Sequence, residues 1–452
     1  MKLQVWNHSD HVGTLSINDN GRWCFSYDKA WHGFALSPNI PIGENTNDLV
    51  HQRNVEWFFD NLLPEGPIRE ALAKREFIHK EDSWGMLEHY GQDTAGALTI
   101  ISDGITPTVK QEYTPLSKGS LAEMIDKSKA GIPLMTQGKR PHMSLAGAQE
   151  KIALHIDSAG NYFMPEGPTP STYILKPENV NNAYPFCPVN EWFCMMLASK
   201  AGLIAPSVNI VNIESHRVYI VQRYDRKFEA GFGVRRLHQI DLCQARNASP
   251  RSKYEDQAGL SAKDLFVVTA DCLSPVIANN AAMSWMAFNY IIGNGDAHAK
   301  NISFMMISKK PEVAPVYDLL CVDAYHKSLH LSMGIGGQFK AGWVEGCHWD
   351  ALALENSLDP RAMRLILART AVSVKKNMDA ILLSEKLLPS EKDWLIDNVK
   401  PVIDERLLFV EDALSQQICN AITIHNYKDV VPSEILNDIT KLTSTRSTSK
   451  IK

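Results

Sequence analysis

The stretch AAMSWMAFNYIIGNGDAHAKN, residues 281–301, decides how the chain is read. Ala281 to Gly293 forms an apolar run suited to a buried helix; it is too short to cross a bilayer and carries Ser284 and Asn289 inside it. The run then breaks into a turn that places an Asp, a His, a Lys and an Asn almost side by side.

That turn has the grammar of phosphoryl transfer. In protein kinases a catalytic Asp and a metal-binding Asn stand five residues apart in H-R-D-x-x-x-x-N. Asp296 and Asn301 share this separation. A hairpin, ISFMMI and VAPVYD around the turn SKKPE, is then expected to return the chain to Asp318 in VYDLL, where a kinase has its second magnesium ligand. Magnesium is a hard cation that takes carboxylate and phosphate oxygens, so Asn301 and Asp318 are the candidate metal ligands. Asp296 would take or orient the proton of an acceptor hydroxyl, Lys300 would steady the transferring phosphate, and His298 would line the turn. Two other readings stay open. One is a tight turn whose Asp merely caps a neighbour; the other is a metal-dependent hydrolase with Asp296 and His298 as ligands.

Working outward, the chain changes character on either side. Beyond about Asp241 the pattern is helical, with long helices near Pro360–Leu383 and Glu391–Gln416, and a polar tail, 441–452, expected to be flexible. Upstream, from Lys151, KIALHI, YFMP, TYILKP, PSVNIVNI and HRVYIVQRYDR read as strands. One helix, NEWFCMMLASKAG, interrupts them, with Asn190 as N-cap and Gly202 past its end. The strand end TYILKP offers Lys176, comparable to the strand lysine of kinases, with Glu191 as a partner or simply a surface residue. No phosphate-binding glycine motif occurs at a suitable place. SLAGAQEK, with small Ala146, Gly147 and Ala148, is the remaining loop whose backbone N–H groups would approach an anion.

The first hundred residues open with hairpin-like runs LQVW, VGTLSI and WCFSY, followed by a helix over NVEWFFDNLL, a second from about Pro67 to Phe77, and a strand in GALTII. The polar stretch near 105–140 is expected to be a boundary. The segments are thus an N-terminal subdomain at 1–110, a strand-rich lobe at 140–236 and a helical lobe at 237–440. The fold class expected is α+β, a two-lobed kinase-like fold with an added N-terminal α/β subdomain.

With 452 residues, 44% hydrophobic and 21% charged, the chain is an ordinary globular one with room for two or three cores. A net charge of −5 gives no global field for gripping DNA or acidic lipid. Eight cysteines without any C-x-x-C pair argue against a zinc site or disulfide frame and suit reduced thiols in a cytoplasm; no signal peptide is read.

Taken in order, SLAGAQEK, ILKP, NEWFC, QRYDR, HQIDLCQA, GNGDAHAKN and VYDLL resemble the HipA family of bacterial serine/threonine kinases, the toxins of HipA–HipB toxin–antitoxin pairs. FFDNLLPEGPIRE and GQDTAGALT resemble the family's amino-terminal part. The resemblance implies Asp296 as the catalytic Asp, Asn301 and Asp318 as Mg²⁺ ligands, and Ser144 as an autophosphorylation site. It implies ATP contacts from Ala146, Gly147, Ala148, Gln149, Glu150, Lys151, Lys176, Gln222, Arg223, Tyr224, His298, Ala299, Lys300, Asn301, Tyr317 and Asp318. It also implies a HipB-like DNA-binding antitoxin as partner, with DNA reached only through it, and an aminoacyl-tRNA synthetase as protein substrate. Gln222 and Ile240 depart from acidic residues common in the family. A lipid or small-molecule kinase, or an idle binding module, are the alternatives.

Overall fold

The computed structural model describes residues 1–43, 49–107, 110–130, 132–134, 137, 149–178, 184–307, 310–326 and 330–416. Packing divides the chain into two compact units, one built from 1–188, 206–253 and 302–314, the other from 189–205, 254–301 and 315 onward. The segments 1–110, 140–236 and 237–440 do not map onto these units one for one. The tail at 441–452 lies outside the described residues.

The first unit holds two main sheets. Strands β1 (Lys2–Asn7), β2 (Asp10–Ile17), β3 (Trp23–Tyr27) and β4 (Thr99–Ser102) form an antiparallel sheet in the order β3-β2-β1-β4. Alternation dictates its buried face: Leu3 pairs with Leu15, and Val5 lies two residues on; all three are fully buried. The helix Leu49–Asp60 packs on β3, burying Val55, Phe58 and Phe59, and Leu62 and Leu63 follow in the turn after it.

Strands β5 (Tyr113–Leu116), β6 (Ile152–Ile156), β7 (Tyr162–Pro165), β8 (Tyr173–Pro177), β9 (Val208–Ile213) and β10 (His216–Gln222) make the second sheet, in the order β5-β7-β6-β8-β10-β9. On one face Ile152, Leu154, Leu175, Val218 and Ile220 form a core with Leu121, Ala122 and Ile125 of the helix Lys118–Lys129. Strand β5 and this helix correct the sequence reading of 105–140 as polar boundary. Strand β5 contains Pro115 and lies at the sheet edge, where a missing N–H is tolerated. The helix shows only a short apolar stripe, with Ser117 accepting from the N–H of Ser120 at its start. Short pieces complete the unit: β11 (Arg226–Glu229) with β12 (Gly233–Arg236), and β13 (Gln239–Asp241) with β14 (Ser303–Met305) and β15 (Glu312–Val313). The expected hairpin is therefore present, but its return strand stops at Val313 rather than running to Asp318.

The second unit is mainly helical. Its helix Pro360–Leu382 begins at Asp359, whose carboxylate accepts the N–H of Arg361, and Met363, Leu367, Ala371, Val374 and Met378 line its buried stripe at three- and four-residue steps. It packs against the helix Pro275–Ile291. The expected helix over Glu391–Gln416 is Pro389–Trp394, a π turn at Leu395–Val399 and Lys400–Ser415. Pro401, with no N–H to donate, lies two residues past the end of that wide turn. The helix Cys187–Lys200 starts earlier than expected, so Asn190 lies inside it and is no N-cap; its side chain instead exchanges hydrogen bonds with the backbone of Cys321. Gly202 ends the helix at φ +92° as expected. A hairpin of β16 (His330–Ile335) and β17 (Gln338–Lys340) turns at Gly336 and Gly337, both with positive φ, and was not read from the sequence.

Candidate active site

In the second unit the loop after the helix Pro275–Ile291 is held from several sides. Gly293 turns the chain at φ +67°, where a Cβ would meet Val402 at 2.5 Å. Asn294 gives its N–H to the Asn289 carbonyl at 2.9 Å and its side-chain amide to the Asn289 side chain at 2.7 Å. The Gly295 carbonyl accepts both the N–H of Ser332, at 3.0 Å, and its hydroxyl, at 2.7 Å. A rigid, buried frame thus presents Asp296, which is exposed at the apex.

The Asp296 carboxylate accepts the hydroxyl of Tyr254 at 3.0 Å. His298 follows, buried, with its ring edge-on to Tyr254 at 5.0 Å between centroids. The short turn Ala299–Asn301 is buried throughout, and the Lys300 carbonyl accepts the Tyr317 hydroxyl at 2.6 Å. Asn301 donates its amide to the Asp318 carboxylate at 2.8 Å. Asp318 sits at φ +56°, a conformation an ordinary residue adopts at a cost and which here turns the chain where its carboxylate meets Asn301. Asp296, His298, Ala299, Lys300, Asn301, Tyr317 and Asp318 therefore belong to one unit and are linked by direct contacts or by adjacency in the loop. Asn301 and Asp318 lie one hydrogen bond apart, with the Asn301 oxygen accepting the His298 N–H at 3.3 Å; an amide oxygen and a carboxylate are the hard donors that Mg²⁺ takes.

In the first unit the second sheet carries the lysines. On β8, Leu175 faces the apolar core, so its neighbours Ile174 and Lys176 belong to the opposite face; their partners on β10 are Val221 and Tyr219. Ala153 pairs with Ile174 and extends that face, and Lys151 continues the same alternation one step before β6. The result is a small apolar floor of Ala153, Ile174 and Val221 flanked by Lys151 and Lys176, both largely buried. The Lys176 ammonium lies 6.0 Å from the centroid of the Tyr219 ring. Gln149 and Glu150 are also described, Glu150 accepting the N–H of Leu134 at 2.9 Å. Ser144, Ala146, Gly147 and Ala148 lie outside the described residues.

At the end of β10, Gln222 is exposed and its N–H bonds to the Ser207 carbonyl. Arg223 has a different occupation from the one its place beside Gln222 suggests. Its guanidinium is fully enclosed, donating to both oxygens of Asp225, at 3.0 and 2.8 Å, and to the Thr94 carbonyl at 2.9 Å. Any nucleotide contact at 223 thus falls to its main chain. Tyr224 donates its hydroxyl to Gln239, and burial pushes that phenol well above its usual range. Glu191 is buried in the helix Cys187–Lys200. Tyr254 is the site residue the sequence reading missed. K-Y-E-D reads as an unremarkable polar stretch, and nothing local ties it to a loop 42 residues away.

The model of the HipA-like C-terminal domain matches residues 143–378 and that of the HipA N-terminal domain residues 3–101. The serine/threonine-protein kinase toxin HipA of Shewanella oneidensis is 31% identical over 346 residues, covering 73% of this chain and 77% of that protein. Y4mE of Sinorhizobium fredii is 29% identical over 413 residues, covering 88% of this chain and 94% of that protein. Among solved structures, a chain of the Shewanella oneidensis complex of HipA, HipB and operator DNA matches with a TM-score of 0.79 at 27% identity, over 91% of this chain and 99% of that one. Family models, sequence relatives and solved structure agree, and the chain belongs to the HipA family of serine/threonine-protein kinase toxins.

Proposed function

We propose that the protein transfers the γ-phosphoryl group of ATP, with Mg²⁺, to a serine or threonine hydroxyl of another protein. The observation that carries this is the exposed Asp296 on a frame whose Asn301 meets Asp318 at 2.8 Å. Asn301 and Asp318 would hold the metal, which when bound would neutralise charge on the phosphate oxygens. Asp296 orients the acceptor hydroxyl and takes its proton as the oxygen–phosphorus bond forms and the bond to the ADP oxygen breaks. Lys151 and Lys176 bind phosphate oxygens, Ala153, Ile174 and Val221 support the base, and the main chain at Gln222 to Tyr224 borders it. The family resemblance also assigns ATP contacts to His298, Lys300 and Tyr317, and to Ala146, Gly147, Ala148, Gln149 and Glu150.

Family membership supports a biological role as well. The protein acts in the cytoplasm as a growth-arrest toxin, an aminoacyl-tRNA synthetase is its substrate, and a HipB-type antitoxin restrains it and binds DNA. The net charge of −5 agrees with leaving DNA to that partner. Among the described residues no helix is long and apolar enough to cross a membrane.

The test is incubation of the purified protein with γ-labelled ATP and Mg²⁺ in the presence of protein acceptors and of lipids and small alcohols. Label on serine or threonine supports the reading. Label confined to lipid or small molecule points instead to the other kinase class, and no transfer to an idle binding module.

A further inference from the structure

The hydroxyl of Tyr254 reaches one oxygen of the Asp296 carboxylate, Oδ1, at 3.0 Å. Both ends of this contact are tied to the same strand. On Tyr254's side, Glu255 accepts the N–H of Gly334 at 2.8 Å and Asp256 pairs with His330 at 3.7 Å. On Asp296's side, the adjacent Gly295 carbonyl takes two hydrogen bonds from Ser332. His330, Ser332 and Gly334 alternate along β16, so one strand fixes the separation of phenol and carboxylate. The Tyr254 ring is further steadied against the buried His298. A general base works when one oxygen of its carboxylate points at the proton it must take, and a hydrogen bond to the carboxylate helps fix that orientation.

We propose that Tyr254 is a positioning residue for the catalytic base: its hydroxyl, bonded to Oδ1 of Asp296, holds the carboxylate in the orientation that takes the acceptor's proton. The inference rests on the kinase reading above and adds a residue to its machinery. Tyr254→Phe removes the hydroxyl and keeps the ring against His298. In the full-length protein with Mg-ATP and a protein acceptor, kcat falls about tenfold, in keeping with a partly exposed hydrogen bond to a charged group. KM for ATP and the thermal midpoint stay at wild-type values. Tyr254→Leu, which also removes the ring, lowers kcat at least as far.

An unchanged kcat in Tyr254→Phe overturns the inference. A raised kcat also overturns it, since the hydroxyl would then be obstructing the base. A fall in kcat accompanied by a shifted KM or thermal midpoint assigns Tyr254 to structure alone and overturns it as well. A wild-type protein with no transfer at all defeats the kinase reading itself, and the inference with it.

Discussion

Replacing Asp93 by Asn tests the buried ionic cluster that holds the first unit together. One Asp93 oxygen accepts from Arg226 at 2.8 Å and from Arg236 at 3.0 Å; the other accepts the Ser171 hydroxyl at 2.6 Å, with Arg223 3.6 Å away. Asp225 is the second carboxylate, paired with Arg223 and Arg226. Three guanidiniums therefore face two carboxylates, and all five side chains are almost wholly enclosed. Each close pair is worth about 4 kcal/mol of attraction at an effective dielectric of about 20, offset by the loss of hydration. Asn at 93 leaves three cations against one anion and turns an amide N–H₂ or a weaker acceptor toward the arginine donors. The expected cost is about 3–5 kcal/mol, the range for breaking a buried ion pair from one side, and a large part of a typical domain stability of about 5–15 kcal/mol. The assay is urea unfolding followed by hydrogen exchange in β8 and β10 peptides, so that the first unit's transition is read by itself. Burial alone would raise the Asp93 carboxyl, but Arg226, Arg236 and Arg223 outweigh it and hold it far below the usual range. Its stabilisation is thus complete above the ordinary carboxylate pKa and is lost as pH falls toward the depressed one, so wild-type stability declines more steeply in acid than that of the variant. A loss below about 1 kcal/mol, the range of an exposed pair, would refute this reasoning.

Lys176→Met should raise KM for ATP at least about tenfold, the worth of a charge-assisted contact, with the thermal midpoint little changed; ATP titration checks it. Gly293→Ala should destabilise the second unit by more than about 1 kcal/mol, because the residue needs positive φ and its Cβ would meet Val402 at 2.5 Å, as urea unfolding would register. Ser144→Ala should retain kinase activity that no longer decays on preincubation with ATP, since a phosphate there would add about −1.5 to −2 charges beside a loop proposed to receive polyanion; decay at the wild-type rate would count against it.

Local patterns carried most of what was legible. Asp296 and Asn301 stand five residues apart in one turn, and KIALHI, TYILKP, PSVNIVNI and HRVYIVQ show the β-branched residues of strands. What depended on distant partners did not show. The R-Y-D-R run exposes nothing of Asp93, which lies about 130 residues upstream and claims the side chains of Arg226 and Arg236. Strand β5 was hidden because Pro115 argues against a strand unless the edge position is known. The β16–β17 hairpin carries one local signal, the pair Gly336–Gly337, set in a stretch whose surroundings are helical. Asn190 has the chemistry of an N-cap, but it hydrogen-bonds a backbone segment 131 residues on.

The most direct test of the central claim is the rate of phosphoryl transfer by Asp296→Asn at saturating Mg-ATP. An exposed Asp is replaced by an isostere, so folding and nucleotide affinity should persist while transfer falls by at least about a hundredfold, the contribution expected of a general base. Transfer within a few-fold of wild type would contradict the assignment of Asp296 and the reading built upon it.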